Sequence, residues 1–219
     1  MIRAVIFDFD DTLIHTYSTA MQNLRQVTKQ MGVPLPPETE LRLHWGRTWK
    51  DFNNTLFPQI DLEQAFQQFH MTDALHTYPA VKGVHESIDV LSKGFVLGIV
   101  TGRPRALFSK RLQEASLDFN KFAFIMTQDE IQKPKSDPGY FDAALNELAK
   151  LGIGKDEVLF VGDSIFDFQA SQNAGLHFVG VLTGPATRED LEKEGLDNHL
   201  IIPSVFELPH LIRNNGFHR

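Results

Sequence analysis

The chain has 219 residues, of which 42% are hydrophobic and 22% are charged, and its net charge is −7. This length supports one sizeable hydrophobic core, or a core with a small second domain. The negative charge argues against a nucleic-acid partner, because affinity for nucleic acids depends on Lys and Arg side chains that neutralise phosphates. The sequence contains no cysteine, which excludes disulfide bonds and thiolate metal sites.

No part of the sequence approaches the about 20 consecutive apolar residues that a membrane-spanning helix needs. The chain enters a strand-like segment almost at its first residue, so we predict no signal or transit peptide. With no cysteine to form disulfides, we expect a protein of the reducing cytoplasm that has no membrane partner.

The first predicted element is a strand, residues 4–9, rich in Val, Ile and Phe. Asp8, Asp10 and Asp11 lie at its end. Carboxylates packed together repel one another, and such a group commonly surrounds a divalent metal ion. The alternative is that Asp10 or Asp11 only caps a helix that begins near Leu13.

The segment that follows contains no predicted strand. Four helices are predicted there, over residues 16–31, 38–44, 48–56 and 62–76. We interpret residues 15–81 as a small helical cap domain, and residues 1–14 and 82–219 as the core domain. In the alternative, these helices pack on the sheet within a single domain.

The remaining chain alternates strands and helices. Strands are predicted over residues 95–101, 122–127, 157–162, 178–182 and 199–202, with helices over 84–93, 105–115, 138–150 and 166–174. This alternation predicts an α/β fold with a doubly wound, mainly parallel sheet. Ligands of such sheets bind beyond the carboxyl ends of the strands, near the point where the strand order reverses.

Polar residues follow three of these later strands. Thr101, Gly102 and Arg103 precede a predicted helix, where a hydroxyl and backbone N–H groups can bind an anion. The alternative is that Thr101 is an ordinary N-cap with Pro104 in the first turn.

The other two strand ends carry lysines and aspartates. Lys133 and Lys135 follow the strand at 122–127, and Asp163 and Asp167 follow the strand at 157–162. Taken singly, the two lysines would belong to a solvated basic loop, and the aspartates to a turn and a helix N-cap. Acid, hydroxyl, lysine and acid at four strand ends of one sheet nevertheless predict a single site.

The order of these residues resembles the haloacid dehalogenase-like (HAD) hydrolase superfamily, in particular its phosphoglycolate phosphatase-like group with a helical cap. The resemblance covers essentially the whole chain, and it implies a Rossmann-like core. Ser136 stands where the usual pattern has proline after the lysine. Lys135 keeps the later proline and aromatic in register, so Lys133 is the second choice. The motifs are Asp8-Phe9-Asp10-Asp11-Thr12, Thr101, Lys135 and Gly162-Asp163-Ser164-Ile165-Phe166-Asp167.

The resemblance implies a Mg²⁺-dependent phosphatase that acts on a small phosphorylated metabolite through an aspartyl-phosphate. Asp8 would be the nucleophile, and Asp10 the acid and base. Mg²⁺ would be bound by the Asp8 and Asp163 carboxylates and by the Asp10 backbone carbonyl. Thr101 and Gly102 would bind phosphate oxygens, and Lys135 would neutralise charge.

The resemblance also implies supporting roles. Asp167 and Ser164 would orient Lys135 or a metal-bound water. Arg47, on a loop of the helical segment, and Arg103 are candidate substrate-binding residues. Trp45 either walls the pocket or belongs to the core of the cap.

Other functions remain open from the sequence. A phosphomutase or a pyrophosphatase would use the same residues. A receiver-like signalling module, or a binding protein with weak turnover, would need no complete catalytic set. We expect a monomer or a homodimer.

Overall fold

The centre of the protein, described by a computed structural model over residues 1–47, 49–73 and 76–214, is a six-stranded sheet. Its strand order is β3-β2-β1-β4-β5-β6, and every pair of neighbours is parallel. This topology confirms the α/β, doubly wound fold. The strands are β1 (Ala4–Phe7), β2 (Val96–Val100), β3 (Phe124–Met126), β4 (Val158–Gly162), β5 (His177–Val181) and β6 (Ile201–Ile202).

Helices connect and cover the strands. Within the described residues, five of them lie between β1 and β2 in the chain, and four of these five fall within residues 15–81, as predicted. The helices are α1 (Tyr17–Met31), α2 (Glu38–His44), α3 (Trp49–Leu56), α4 (Leu62–Asp73), α5 (Val84–Leu91), α6 (Arg105–Glu114), α7 (Gln128–Ile131), α8 (Asp142–Lys150), α9 (Ile165–Ala174), α10 (Arg188–Lys193) and α11 (Leu208–Asn214). Thr48, Ala74 and Leu75, which belong to two of the predicted helices, lie outside the described residues.

Some predicted boundaries are wrong. The helix predicted from residue 138 begins only at Asp142, because the chain before it forms successive turns. In these turns the Tyr140 N–H donates to the Asp137 carbonyl (3.0 Å), and the Asp142 N–H donates to the Gly139 carbonyl (3.1 Å). The short helix α7 was not predicted, since four residues are too few to show a helical period.

The two faces of the sheet form two apolar layers. Val5 and Phe7 of β1 point to the layer covered by α5, α6 and α11, and Ala4 and Ile6 point to the layer covered by α8, α9 and α10. Both sets are fully buried. Burial on both sides explains why the strands read as continuous apolar runs.

The helical segment between β1 and α5 has an apolar cluster of its own, formed by buried side chains of α1, α2 and α3 with Phe57. The two chain segments that connect it to the sheet lie side by side. The His15 N–H donates to the Pro79 carbonyl and the Val81 N–H to the Leu13 carbonyl, both at 2.9 Å. The division into domains at residues 15 and 81 stays a prediction.

No helix within the described residues is both long enough and apolar enough to cross a membrane.

Candidate functional site

Two aspartates at the ends of neighbouring strands form the centre of the site. Asp8 follows β1, and its N–H donates to the Val161 carbonyl of β4 at 2.9 Å. Asp163 follows β4 directly. The chain leaves β1 toward β2 on one side and later returns to β4 on the other, so this pair lies at the point where the strand order reverses. Asp8, Asp163 and Asp167 each bring a carboxylate oxygen within 4.8 Å of the others.

Lys135 supplies positive charge to this acidic group. Its Nζ lies 3.2 Å from Oδ1 of Asp8 and 2.7 Å from Oδ1 of Asp167. Lys133 instead donates to Oδ2 of Asp142 at 2.8 Å, on the exposed surface. Of the two lysines, Lys135 is therefore the one that lies at the acidic group.

Burial shifts the protonation equilibria of these groups. It raises the pKa of Asp8 well above its ordinary value, against the opposing effect of Lys135. Burial also raises the pKa of Asp163, and the nearby carboxylates of Asp11 and Asp167 add to the rise. Burial disfavours charge on Lys135, but Asp167 and Asp8 outweigh this and raise its pKa well above the ordinary value. An additional cation at this position would stabilise the ionised carboxylates.

The start of α9 fixes Asp167. The Ser164 hydroxyl accepts a hydrogen bond from the Asp167 N–H (3.2 Å), and Oδ2 of Asp167 accepts from the Ser164 N–H (3.1 Å) and hydroxyl (2.5 Å). This is a capping box. One oxygen of Asp167 thus contacts Ser164 and the other contacts Lys135, so the carboxylate links the start of α9 to the lysine. Gly162 is needed here, since a Cβ at that position would overlap the Asp167 side chain.

The surroundings of Asp163 fit a divalent cation. Oδ1 of Asp163 accepts from the Thr12 hydroxyl at 3.3 Å, whereas Oδ2 is buried without a hydrogen-bond partner among the described residues. A buried carboxylate oxygen is rarely left without a partner. Hard carboxylate oxygens beside a second carboxylate, that of Asp8, are the ligands that Mg²⁺ prefers. The residues present therefore fit Mg²⁺.

The segment after β5 closes this side of the site, and the sequence analysis did not identify it. Gly184 lies so close to Asp163 that a Cβ would overlap Oδ2. The hydroxyl of Thr183 donates to the Asp11 carbonyl at 2.5 Å. The only sign of this segment in the sequence is a glycine shortly after a predicted strand. A glycine in that position is common to many turns and does not by itself indicate a site.

Asp10 faces away from the acidic group toward two arginines. Arg103 Nε donates to Oδ2 of Asp10 at 2.7 Å, and Arg111 Nη1 donates to Oδ1 at 3.0 Å. Burial disfavours the charged carboxylate, but the two guanidinium groups outweigh it and hold the pKa of Asp10 below its ordinary value. Arg103, predicted to bind substrate, thus binds Asp10 in this structure.

Arg111 was not predicted as a site residue. It lies on α6 with Phe108 and Leu112, and all three side chains are buried. The signal that could have identified it is a basic residue on the apolar face of a helix, where an unpaired charge is costly.

Thr101 and Gly102 form the other wall of the site. Thr101 is buried, its N–H donates to the Met126 carbonyl (2.9 Å), and its hydroxyl accepts from the Arg103 N–H (3.2 Å). Gly102 is exposed, and apart from its chain neighbours no atom of the described residues lies within 4 Å of the position of a Cβ. The segment leads into α6 and leaves room for an anion at the start of that helix.

The loop between α2 and α3 reaches the sheet. Trp45 Nε1 donates to Oδ2 of Asp11 at 3.0 Å. A Cβ on Gly46 would lie 3.1 Å from the Ser164 hydroxyl, and the Arg47 guanidinium lies 5.2 Å from the centre of the Phe166 ring. The predicted substrate-binding residue Arg47 therefore sits beside the start of α9.

Comparison with known proteins finds relatives of one kind along almost the whole chain. The sequence profile of the haloacid dehalogenase-like hydrolases matches residues 5–181. The pyrophosphatase PpaX of Bacillus pumilus is 30% identical over 200 residues, 90% of each chain. The phosphoglycolate phosphatase of Nitrosospira multiformis is 28% identical over 232 residues, 98% of this chain and 97% of that protein.

A solved hydrolase structure from Pseudomonas syringae has a similar fold. It superposes with a TM-score of 0.80 at 24% identity, covering 97% of this chain and 99% of its own. At this identity the likeness concerns the fold alone.

Proposed function

The chain belongs to the haloacid dehalogenase-like hydrolase family, and on this premise we propose that it is a Mg²⁺-dependent phosphatase of a small phosphorylated metabolite. The observation that carries the proposal is the position of Lys135. Its Nζ lies 3.2 Å from Oδ1 of Asp8, and the carboxylates of Asp8 and Asp163 have oxygens within 4.8 Å of each other. A nucleophile, a cation and a metal-binding carboxylate are what phosphoryl transfer requires in one place.

Asp8 is the nucleophile in this proposal. Its carboxylate oxygen forms a bond to phosphorus while the bond from phosphorus to the leaving oxygen breaks, which gives an aspartyl-phosphate. Lys135, held by Asp167, offsets the negative charge of Asp8 and of the transferring group. The Thr101 hydroxyl and the Gly102 N–H bind phosphate oxygens at the start of α6.

Asp10 moves the protons. It gives a proton to the leaving oxygen in the first step, which requires the proton to replace an arginine contact, because Arg103 and Arg111 favour the ionised carboxylate in this structure. In the second step it takes a proton from a water molecule whose oxygen attacks phosphorus, and Asp8 is released with inorganic phosphate. Its partners Arg103 and Arg111 hold its carboxylate at the end of β1.

The carboxylates of Asp8 and Asp163 and the backbone carbonyl of Asp10 would hold Mg²⁺. When bound, the ion would offset the repulsion between the Asp8 carboxylate and an anionic phosphate. Oδ2 of Asp163, which has no hydrogen-bond partner among the described residues, supports this assignment.

We propose that residues 15–81 form a cap that determines the substrate. The separate apolar cluster of this segment and the position of its α2–α3 loop support the proposal. Arg47 and Arg103 are the residues of this chain that would grip a second anionic group of the substrate. The cytoplasmic location and the monomeric or dimeric state stay predictions.

A second candidate function is pyrophosphate hydrolysis. It is favoured by the 30% identity to the pyrophosphatase PpaX of Bacillus pumilus over 90% of both chains. The two functions use every group described above. They differ only in the leaving group, which is an alcohol for a phosphate monoester and phosphate for pyrophosphate. Release of phosphate from pyrophosphate faster than from every phosphate monoester would favour the pyrophosphatase.

The experiment that tests the proposal measures phosphate release by the purified protein from p-nitrophenyl phosphate, with Mg²⁺ and with EDTA. We expect turnover that requires Mg²⁺, followed by a ranking of phosphorylated metabolites and pyrophosphate. A protein that is folded but releases no phosphate from any of these compounds in Mg²⁺ would contradict the proposal.

A further inference from the structure

Arg42, on α2, binds two points of the chain that follows β5. Its Nε donates to the Pro185 carbonyl at 3.0 Å, and its Nη2 donates to Oδ2 of Asp190 at 3.3 Å. Asp190 belongs to the start of α10, where the Thr187 N–H also donates to Oδ2 at 2.9 Å. A guanidinium that binds two separate groups restricts the chain between them, because its N–H groups have fixed directions.

Residues 183–190, which we call the β5–α10 segment, reach the acidic group with their other end. A Cβ on Gly184 would overlap Oδ2 of Asp163. The Thr183 hydroxyl donates to the Asp11 carbonyl. Since Gly184 and Pro185 are adjacent, the residue that Arg42 binds follows directly on the residue that lies against Asp163.

Packing restricts the free oxygen of Asp163. The residue is 3% exposed, and its Oδ2 has no hydrogen-bond partner among the described residues. Contact with the backbone of Gly184 therefore limits where Oδ2 can lie. A carboxylate that is already held in one position binds an ion more tightly, because less freedom is lost on binding.

We propose that Arg42 is a positioning residue for the metal site. By holding the β5–α10 segment to α2, it keeps Gly184 against Asp163 and raises the affinity of the site for a divalent cation. The inference rests on the proposed Mg²⁺-dependent function. It links the proposed cap to the metal site, and because linkage is reciprocal, a bound cation favours the contact of α2 with the β5–α10 segment.

The test measures cation binding directly, without substrate or turnover. The probe is Mn²⁺, which takes the same oxygen ligands as Mg²⁺. Titration of the full chain, with the electron paramagnetic resonance signal of free Mn²⁺ as the readout, gives the dissociation constant. Loss of this binding in Asp163→Asn, and displacement of Mn²⁺ by Mg²⁺, identify the site that is measured.

For Arg42→Met we expect the Mn²⁺ dissociation constant to rise about three- to fivefold. The effect is moderate because the side chains of Arg42 and Asp190 are 35% and 37% exposed, so solvent screens their ion pair. Arg42→Lys keeps the charge but not the planar fork, and we expect a smaller rise.

Arg25→Met is the matched control. Arg25, on α1, is exposed and pairs with Glu38 of the same helical segment, so its ion pair does not reach the β5–α10 segment. Its Mn²⁺ dissociation constant should equal the wild-type value. The thermal unfolding temperature of each variant, measured without metal, shows that a weaker affinity does not reflect partial unfolding.

An unchanged dissociation constant in Arg42→Met, or an equal rise in Arg25→Met, would overturn the role of Arg42 and leave the proposed function intact. Failure of the folded wild-type protein to bind Mn²⁺ or Mg²⁺ would instead contradict the proposed function, and this inference with it.

Discussion

Lys133 and Lys135 are separated by one residue, yet their environments differ completely. Lys135 is buried against Asp8 and Asp167, and Lys133 is bonded to Asp142 on the surface. We predict that Lys135→Met lowers kcat by about 10²–10³-fold, because charge on the transferring phosphoryl group loses its buried counter-charge. Steady-state kinetics of phosphate release measure this effect.

Lys133→Met is the matched control, since it removes the same side chain from the same loop without touching the acidic group. We expect its kcat to stay within about twofold of the wild-type value. Equal losses in the two variants would contradict the assignment of Lys135.

Gly184 is a second residue whose identity is tied to the site. A Cβ there would overlap Oδ2 of Asp163, so Gly184→Ala must displace the carboxylate. We predict that the Mg²⁺ concentration for half-maximal activity rises by about 10–100-fold, with the fold retained. Metal titrations of activity, with circular dichroism as the check on folding, measure this effect.

Gly94→Ala provides the comparison for Gly184. Gly94 is exposed, and its chain neighbours aside, the described part of the chain brings no atom within 4 Å of the position of a Cβ. Its metal titration should match that of the wild-type protein. An unchanged titration for Gly184→Ala as well would show that Oδ2 of Asp163 does not take part in binding the ion.

At the level of elements, the start of α9 is a helix cap that also contacts Lys135, the residue we propose to be functional. Ser164 caps this helix through Asp167, and Thr187 caps α10 through Asp190 in the same way. We predict that Ser164→Ala and Thr187→Ala each lower the free energy of unfolding by about 1 kcal/mol. Denaturant titrations measure this change.

Only the first of these caps bears on the site, because only Asp167 goes on to hold Lys135. We therefore expect Ser164→Ala to lower kcat about tenfold and Thr187→Ala to leave it unchanged. A full retention of kcat in Ser164→Ala would remove Ser164 from the group that orients the lysine.

The strands could be predicted from the sequence for a clear physical reason. Buried on both faces, β1 and β4 are apolar throughout, and each ends where Asp8 and Asp163 begin the polar edge of the sheet. Lys135 could be chosen over Lys133 because the residues after it keep the pattern of the family. These signals are local or depend on order along the chain.

The contacts that could not be predicted join distant elements. Arg111 meets Asp10 across 101 positions, and Trp45 meets Asp11 across 34. The helix period marks Arg111 as a buried cation, but the partner in each contact has no periodic or local signature, because it depends on how the elements pack. Arg103 was predicted to bind substrate for its position near Thr101, and its ion pair with Asp10 likewise depends on the packing of β1 against β2.

At the level of the whole molecule, Trp45 joins the helical segment to the chain that follows β1. Trp45 Nε1 donates to Asp11, whose carboxylate also accepts from the N–H and hydroxyl of Thr16 and the N–H of Tyr17. We predict that Trp45→Phe raises KM about fivefold with little change in kcat, because loss of one hydrogen bond of about 1 kcal/mol loosens the loop.

Met71→Ala is the control for this prediction, because Met71 lies on the same helical segment and is 59% exposed. Its KM should equal the wild-type value. If Trp45→Phe also left KM unchanged for every substrate tested, the α2–α3 loop would have no part in substrate binding.

The measurement that tests the whole account most directly is phosphate release by Asp8→Asn, compared with the wild-type protein in saturating Mg²⁺ and with equal thermal stability verified. Asp8→Asn keeps the shape of the side chain and removes the nucleophilic oxygen, so the account predicts release at the background level. Release at a rate near that of the wild-type protein would contradict an aspartyl-phosphate on Asp8, and with it the mechanism built on the end of β1.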